Sequence, residues 1–138
     1  MFGFGARKSN SVNISSGGVV VGSGMLWKQG TSYKSWKHRR YEVHDNGQFF
    51  YIDITTSPST VKGSIDINDV VIRDGPAEYA SQCGNMPHSL AVKRVPITME
   101  SKLDGRDLEI VFDGVEDVYQ FLVAIYTVSM RNNVIVCT

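Results

Sequence analysis

The sequence predicts a mainly β domain in which seven strands form a strongly bent antiparallel sheet, or two packed sheets, with a C-terminal helix filling one open corner. Short apolar segments recur between turn-forming residues, and one amphipathic segment with helical spacing follows them. A length of 138 residues suits a single domain with its own core. Because residues 1–17 are rich in Gly, Ser and Asn, we expect a flexible tail over residues 1–18 and one domain over residues 19–138.

The predicted strands follow one another with turns and loops between them. The first two, at residues 24–30 and 36–43, form a hairpin with a short polar turn, and Asp45-Asn46-Gly47 predicts a second tight turn. The third, fourth and fifth strands are expected at residues 48–52, 61–67 and 70–73. A long loop over residues 74–88 precedes the last two strands, at residues 90–100 and 107–112.

One helix closes the predicted fold. Asp113 is placed to cap its N-terminus, with Glu116 three residues later as the partner of a capping box. Apolar residues then recur at helical spacing, namely Val115, Val118, Leu122, Ile125 and Ser129, flanked by Phe121 and Tyr126. We therefore expect the helix to bury one face against the sheet and to stop near Asn132.

The first hairpin carries a group of cations near its turn. Side chains of one parity on a strand share one face, so Lys28 points the same way as Leu26. By the same rule Lys37 and Arg39 share the face of Tyr41. Because the apolar members can fill a core, the three cations should converge at the open end of the hairpin. Such a group favours a multiply charged anion, and phosphate is the natural candidate.

The net charge of zero hides an uneven distribution. Residues 1–44 hold seven Lys or Arg against one acid, whereas residues 45–138 hold seven against thirteen. A chain with such a charge dipole can orient toward an anionic surface although its net charge predicts no attraction. We expect no nucleic-acid partner.

Several functional classes lack support in the sequence. No apolar run is long enough to span a membrane, and the N-terminus has neither a secretory nor an acylation signal. His44 and His88 have no partners at metal-ligand spacing and no catalytic motif is present, so we expect no metal, no cofactor and no enzyme activity. Cys83 and Cys137 are interpreted as thiols of a cytosolic protein, with a disulfide between them as the less favoured alternative.

Five short motifs occur in a characteristic order over about residues 19–131. The strand motifs are Gly24-Met25-Leu26-Trp27-Lys28, then Trp36 to Val43, then Gly47 with Phe49 and Tyr51, then Gly63-Ser64-Ile65. The helix motif places Glu116 and Asp117 before Phe121-Leu122-Val123-Ala124-Ile125. Together they resemble the pleckstrin homology family, with Phe121 where that family usually has tryptophan. The resemblance implies a seven-stranded bent antiparallel β-sandwich, or partly open barrel, capped by a C-terminal α-helix.

The resemblance also implies phosphoinositide binding, since family members with a basic first hairpin hold the headgroup through cations at the positions of Lys28, Lys37 and Arg39. Tyr51, on the neighbouring strand, could donate its hydroxyl to a phosphate. Further candidates are Lys34 in the turn, where it would meet anionic lipids, and Lys62 at the rim of the pocket. Arg40 has the opposite parity to Arg39 and is expected to pair mainly with an acid, with lipid contact as the alternative.

Three functions stay open at this point. The first is a monomeric, cytoplasmic module, peripheral to membranes, that binds phosphoinositides through the first hairpin. The second is a protein-binding adaptor that receives a peptide at a sheet edge, at the helix or at the loop 74–88. The third is a sensor of anionic lipids in general, for example phosphatidic acid, whose binding would fall in moderate salt.

Overall fold

A computed structural model describes residues 18–30, 35–84, 88–103 and 105–131. They form one open seven-stranded antiparallel sheet and a C-terminal helix, which confirms the predicted fold class. The strands are β1 Val20–Gln29, β2 Trp36–His44, β3 Gln48–Asp53, β4 Thr60–Asp66, β5 Val70–Asp74, β6 Val95–Ser101 and β7 Asp107–Phe112. The α-helices are α1 His88–Ala91 and α2 Val115–Arg131. No helix within the described ranges is long and apolar enough to cross a membrane.

The sheet bends at β1, which belongs to both of its halves. The strand order is β4-β3-β2-β1-β7-β6-β5. β1 pairs with β2 along its length and with β7 at Trp27 and Lys28, near its C-terminal end. Helix α2 lies against the N-terminal part of β1, where a side chain on Gly22 would meet the Ala124 Cβ at 2.6 Å. The missing side chain of Gly22 therefore allows the close approach of helix and strand.

The core is a group of aromatic rings between α2 and the sheet. Phe121 is fully buried, and its ring centroid lies 5.6 Å from that of Tyr41, 5.9 Å from that of Phe49 and 5.0 Å from that of Phe112. Edge-to-face and tilted contacts at these separations are favourable for aromatic rings. Phenylalanine at position 121 thus fills the centre of the core without a polar atom that would need a partner.

Two details of the predicted helix were wrong. Val115 was expected in the buried stripe, but it is 71% exposed, because the buried face is formed by Val118, Phe121, Ile125 and Val128. Asp113 was expected to cap the helix, but the helix begins at Val115 and is directly preceded by Gly114. The Asp113 carboxylate instead accepts hydrogen bonds from Trp27 Nε1 and Arg94 Nε, at 3.1 and 3.2 Å.

The described residues between β5 and β6, 75–84 and 88–94, contain short helices that the sequence did not predict. A 3-10 helix spans Ala77–Ser81, and α1 occupies residues that were expected to begin the sixth strand, which starts instead at Val95. The segment packs on the outward face of the first hairpin. Trp36 donates from Nε1 to Gln82 Oε1 at 3.1 Å, and the buried Arg94 donates from Nη1 to the Cys83 carbonyl at 2.6 Å. The Arg94 guanidinium also lies over the ring of Trp27, 5.3 Å from its centroid.

Candidate anion-binding site

A pocket of about 240 Å³ opens at the end of the sheet near the first hairpin. Its lining comes from the C-terminal end of β1, from β3 and β4, from the 3-10 helix Ile67–Asp69, from the start of β5, from β6 and from the start of β7. Strands that are distant in sequence therefore supply its side chains, which makes the pocket a product of the bend in the sheet.

The register of the hairpin places three cations on one face. Lys28 lies opposite Lys37, and Leu26 lies opposite Arg39. Residues directly opposite each other on antiparallel strands share a face. The three cations thus share the face of Leu26, which is buried in the core, in agreement with the side-chain parity of the sequence.

Lys28 is the cation that lines the pocket. Its Nζ lies 4.9 Å from the ring centroid of Tyr51 and donates to the Gln29 carbonyl at 3.1 Å. Burial of the ammonium group, followed by the positive charge of Arg39, lowers the pKa of Lys28. An anionic ligand would stabilise the charged form of Lys28, because its negative charge offsets both the burial of the ammonium group and the repulsion from Arg39.

Tyr51 forms the side of the pocket next to Lys28. It lies opposite Gly63 on β4, and a side chain on Gly63 would overlap the Tyr51 hydroxyl. The glycine therefore leaves the space in which the phenol ring lies. Burial raises the pKa of Tyr51, while the charge of Arg106 acts in the opposite direction. The neutral hydroxyl can donate a hydrogen bond to an anion.

Arg39 lies beside the pocket and contacts an acid. Its Nη1 is 3.8 Å from Asp53 Oδ1, and only 14% of its side chain is exposed. Asp53 accepts hydrogen bonds from the Thr55 hydroxyl and the Thr55 backbone N–H, which lower the pKa of its carboxyl, with smaller contributions from the charges of Arg39 and Lys62. An anion that binds Arg39 must share the guanidinium with Asp53.

Arg106 is a pocket residue that the sequence interpretation missed. It precedes β7 and lines the pocket with Lys28 and Tyr51. The turn at Gly105, which has a φ of 70°, could have drawn attention to the arginine beside it. Its approach to Tyr51 depends on how β7 folds against the rest of the sheet, which one sequence does not reveal.

The other predicted site residues lie farther from the pocket or outside the described residues. Lys37 and Lys62 are exposed on β2 and β4 and are not among the residues that line the pocket. Arg40 lies on the outward face and forms an ion pair with Glu42 at 3.4 Å, as its parity predicted. Lys34 lies outside the described residues.

The pocket also contains acids that the sequence interpretation did not place there. Asp66, Asp69 and Asp107 line it together with Lys28 and Arg106. Asp66 accepts a hydrogen bond from the Asn68 backbone N–H at 2.9 Å, and Asp107 pairs with Arg73 at 3.4 Å. Within the described residues, no group of three or more His, Cys, Asp or Glu side chains could hold a metal ion. The lining therefore combines cations that can donate to an anion with carboxylates that can accept hydrogen bonds.

Comparisons with known proteins support the fold. No protein-family model and no curated protein matches the sequence. The solution structure of the C-terminal PH domain of human pleckstrin matches with a TM-score of 0.63 and 20% identity, over 91% of this chain and 92% of that one. The C-terminal PH domain of pleckstrin in complex with D-myo-Ins(1,2,3,5,6)P5 matches with a TM-score of 0.60 and 18% identity, over 81% and 97% of the two chains. The PH domain of Slm1 in complex with phosphoserine matches with a TM-score of 0.54 and 10% identity, over 80% and 96%. This chain therefore has the pleckstrin homology fold.

Proposed function

We propose that this protein is a non-catalytic, monomeric module that binds phosphoinositide headgroups through the pocket beside its first hairpin and so docks reversibly on cytoplasmic membrane surfaces. Lys28, Arg39 and Tyr51 would contact the phosphate, with Arg106 reaching it from the start of β7. Lys37, Lys62 and Lys34 would meet the surrounding anionic lipid, and Arg40 would contribute least.

One observation carries this proposal. The ammonium of Lys28 is half-buried in a pocket, next to the Tyr51 ring and close enough to Arg39 for the guanidinium to lower the pKa of Lys28. Two cations held together at the cost of mutual repulsion favour a ligand that carries negative charge. Phosphate suits them because guanidinium and ammonium groups donate several charge-assisted hydrogen bonds to its oxygens.

The similar folds add support of a general kind. Two of the matching pleckstrin structures are complexes with inositol pentakisphosphates, and the Slm1 domain is a complex with phosphoserine. Each of these ligands presents phosphate groups to a domain of the same fold. The ligand proposed for this chain therefore belongs to a chemical class that this fold is able to bind.

The test is sedimentation with liposomes of neutral lipid that contain one phosphoinositide at a time, at physiological salt. Lys28→Met combined with Arg39→Gln removes both charges and keeps most of the side-chain volume that packs against Tyr51. Hydrogen bonds to charged groups contribute about 1.5–3 kcal/mol each, so the double variant should bind about a hundredfold more weakly or worse.

Lys93→Met is the matched control, because Lys93 is exposed and lies outside the pocket. It should bind like the wild type, and thermal unfolding should show that both variants stay folded. Wild-type binding in the folded double variant would refute the proposed pocket. Binding that follows total bilayer charge in every lipid mixture, and disappears in moderate salt, would favour a general anionic-lipid sensor.

A groove between β1 and α2 favours a second function, the binding of a peptide. It has a volume of about 260 Å³ and is lined by Val21, Gly22, Tyr119, Val123 and their neighbours. Tyr119 is 71% exposed and Val123 46% exposed, which leaves apolar surface on the helix. If the wild type binds no phosphoinositide liposome at any salt concentration, this adaptor function becomes the better explanation.

A further inference from the structure

The apolar residues that line the pocket beside the first hairpin differ sharply in exposure. Met99, Val70 and Leu108 line the pocket and are buried, so they belong to its floor. Leu103 lines the same pocket but is 77% exposed. A lining residue with that much surface in contact with solvent lies at the mouth of the pocket.

Hydrogen bonds hold Leu103 at the mouth, in the turn between β6 and β7. The Lys102 backbone N–H donates to the Asp69 carbonyl at 2.7 Å, and the Leu103 N–H donates to the Ser101 hydroxyl oxygen at 3.3 Å. A Cβ built on Gly105 would meet no atom within 4 Å, so this part of the turn projects from the domain. The exposed leucine is therefore presented outward by a turn whose backbone is bonded to the domain.

Cations flank the exposed leucine in sequence. Lys102 precedes it and Arg106 follows it, and both are exposed. Together with Asp104 they give residues 102–106 a net charge of 2 − 1 = +1, and the next acid, Asp107, pairs with Arg73 at 3.4 Å. An apolar side chain between cations suits an anionic bilayer, because the apolar group enters the acyl boundary while the cations stay among the headgroups.

The position of the leucine on the pocket gives its exposure a meaning. Single exposed apolar side chains are common on proteins and need no explanation. A phosphoinositide in this pocket, however, would keep its acyl chains in the bilayer while its headgroup enters through the mouth. The mouth of the loaded pocket must then lie at the bilayer surface, where burial of Leu103 removes apolar surface from water.

Resting on the proposed function, we infer that Leu103 is a hydrophobic anchor that enters the bilayer beside the bound headgroup, with Lys102 among the neighbouring anionic lipids. The pocket recognises the headgroup. The leucine adds affinity only when that headgroup belongs to a lipid in a bilayer.

The experiment compares Leu103→Gln with the wild type on two forms of one headgroup. The first is a phosphatidylcholine liposome that contains the phosphoinositide with which the wild type sediments best, and the second is the soluble inositol phosphate headgroup of that lipid. Leu103→Gln should bind the liposomes about tenfold more weakly, which corresponds to about 1.4 kcal/mol and is close to the lower bound for burying a leucine side chain. It should bind the soluble headgroup within about twofold of the wild type.

Met130→Gln is the matched control. Met130 is 78% exposed, close to the value for Leu103, but it lies on α2 and does not line the pocket. This variant should bind both probes like the wild type. A separate variant, Leu103→Trp, reports insertion directly: brominated acyl chains should quench its tryptophan emission more than they quench the emission of Trp27 and Trp36 in the wild type.

The failure of the anchor differs from the failure of the proposed function. The anchor is overturned if Leu103→Gln binds the liposomes as well as Met130→Gln does, or if Leu103→Trp is quenched no more than the wild type. An equal loss of affinity for liposomes and soluble headgroup would make Leu103 a wall of the pocket instead of an anchor. A wild type that binds the soluble headgroup but no phosphoinositide liposome would overturn the anchor and the membrane role and leave the pocket in place. Binding of neither probe would overturn the proposed function itself.

Discussion

Gly63 gives the sharpest test of how the candidate pocket is built. It lies opposite Tyr51, and the three atoms nearest to a Cβ built on it all belong to the Tyr51 ring or hydroxyl, with Cε2 at 2.8 Å. Gly63 is not one of the described glycines with positive φ, so alanine fits its backbone. The replacement Gly63→Ala therefore isolates one steric contact between the two residues.

Two opposing effects set the change in the free energy of unfolding that Gly63→Ala causes. An extra methyl group that forces a packed side chain to move costs about 1–3 kcal/mol. Replacing glycine by alanine in a strand raises the free energy of unfolding by about 0.5–1 kcal/mol. The unfolded chain with alanine has less conformational freedom, so folding costs less entropy. Gly63→Ala should thus lower the free energy of unfolding by about 0.5–2 kcal/mol, which is the difference between those effects. In a Tyr51→Ala background the overlap is absent, and the same change should be neutral or slightly stabilising.

Urea unfolding of the wild type, both single variants and the double variant gives the coupling between the two positions. We expect a coupling free energy of about 1–3 kcal/mol, seen as shifts of the midpoint at a constant m-value. If Gly63→Ala changes stability equally in both backgrounds, the phenol ring does not lie over Gly63. The described geometry of this side of the pocket would then be wrong.

Three further predictions concern the core, the pH dependence of stability and the packed segment before β6. Phe121→Ala should lower the free energy of unfolding by about 3–5 kcal/mol and Phe121→Leu by about 1 kcal/mol, measured in urea, and equal losses would contradict tight aromatic packing. Burial, followed by the charge of Asp117, raises the pKa of Tyr41 to about 12, so folding favours the neutral phenol. The free energy of unfolding should be constant below pH 10 and should fall by up to about 2–3 kcal/mol between pH 10 and pH 12. Tyr41→Phe should remove this part of the loss at alkaline pH. An unchanged loss in that variant would refute the burial argument. Arg94→Met removes the hydrogen bonds to Asp113 and to the Cys83 carbonyl, and should lower the free energy of unfolding by about 2–4 kcal/mol. The emission of Trp27 should shift to the red, because the segment before β6 no longer covers its ring. An unshifted spectrum would indicate that Arg94 does not hold this segment over Trp27.

Local chemistry made most of the strands predictable. The positive φ of Gly47 and the hydrogen bond from its N–H to the His44 carbonyl, 3.0 Å long, match the turn expected from Asp45-Asn46-Gly47. Propensity and pattern are weaker guides where tertiary contacts compete. Leu90 and Val92 suggested a strand, yet Leu90 lies in α1, because the segment is held in place by Arg94 and its buried bonds to the chain around Cys83.

The candidate site also has a part that the sequence predicted and a part that it did not. Side-chain parity is a local property of a strand, so it was enough to put Lys28 and Arg39 on one face and Arg40 on the other. The neighbours of these cations are only partly local. Asp53 lies next to Arg39 because β2 and β3 pair in one hairpin, whereas Arg106 near Tyr51 and the carboxylates of the pocket lining come from elements that meet only in the folded sheet.

The sequence alone predicted the strands and the direction of their side chains, the closing amphipathic helix and the hairpin rich in cations. Each of these features depends on residues that are only a few positions apart. Only the tertiary structure decided the charge of the pocket, since its charged lining side chains come from β1, β4 and β7 and from the turns beside β4 and β7. The spacing of residues along a strand predicts the face of the sheet to which each side chain points. It does not record which carboxylates will line the same pocket, because Asp66, Asp69 and Asp107 reach the pocket only in the folded sheet.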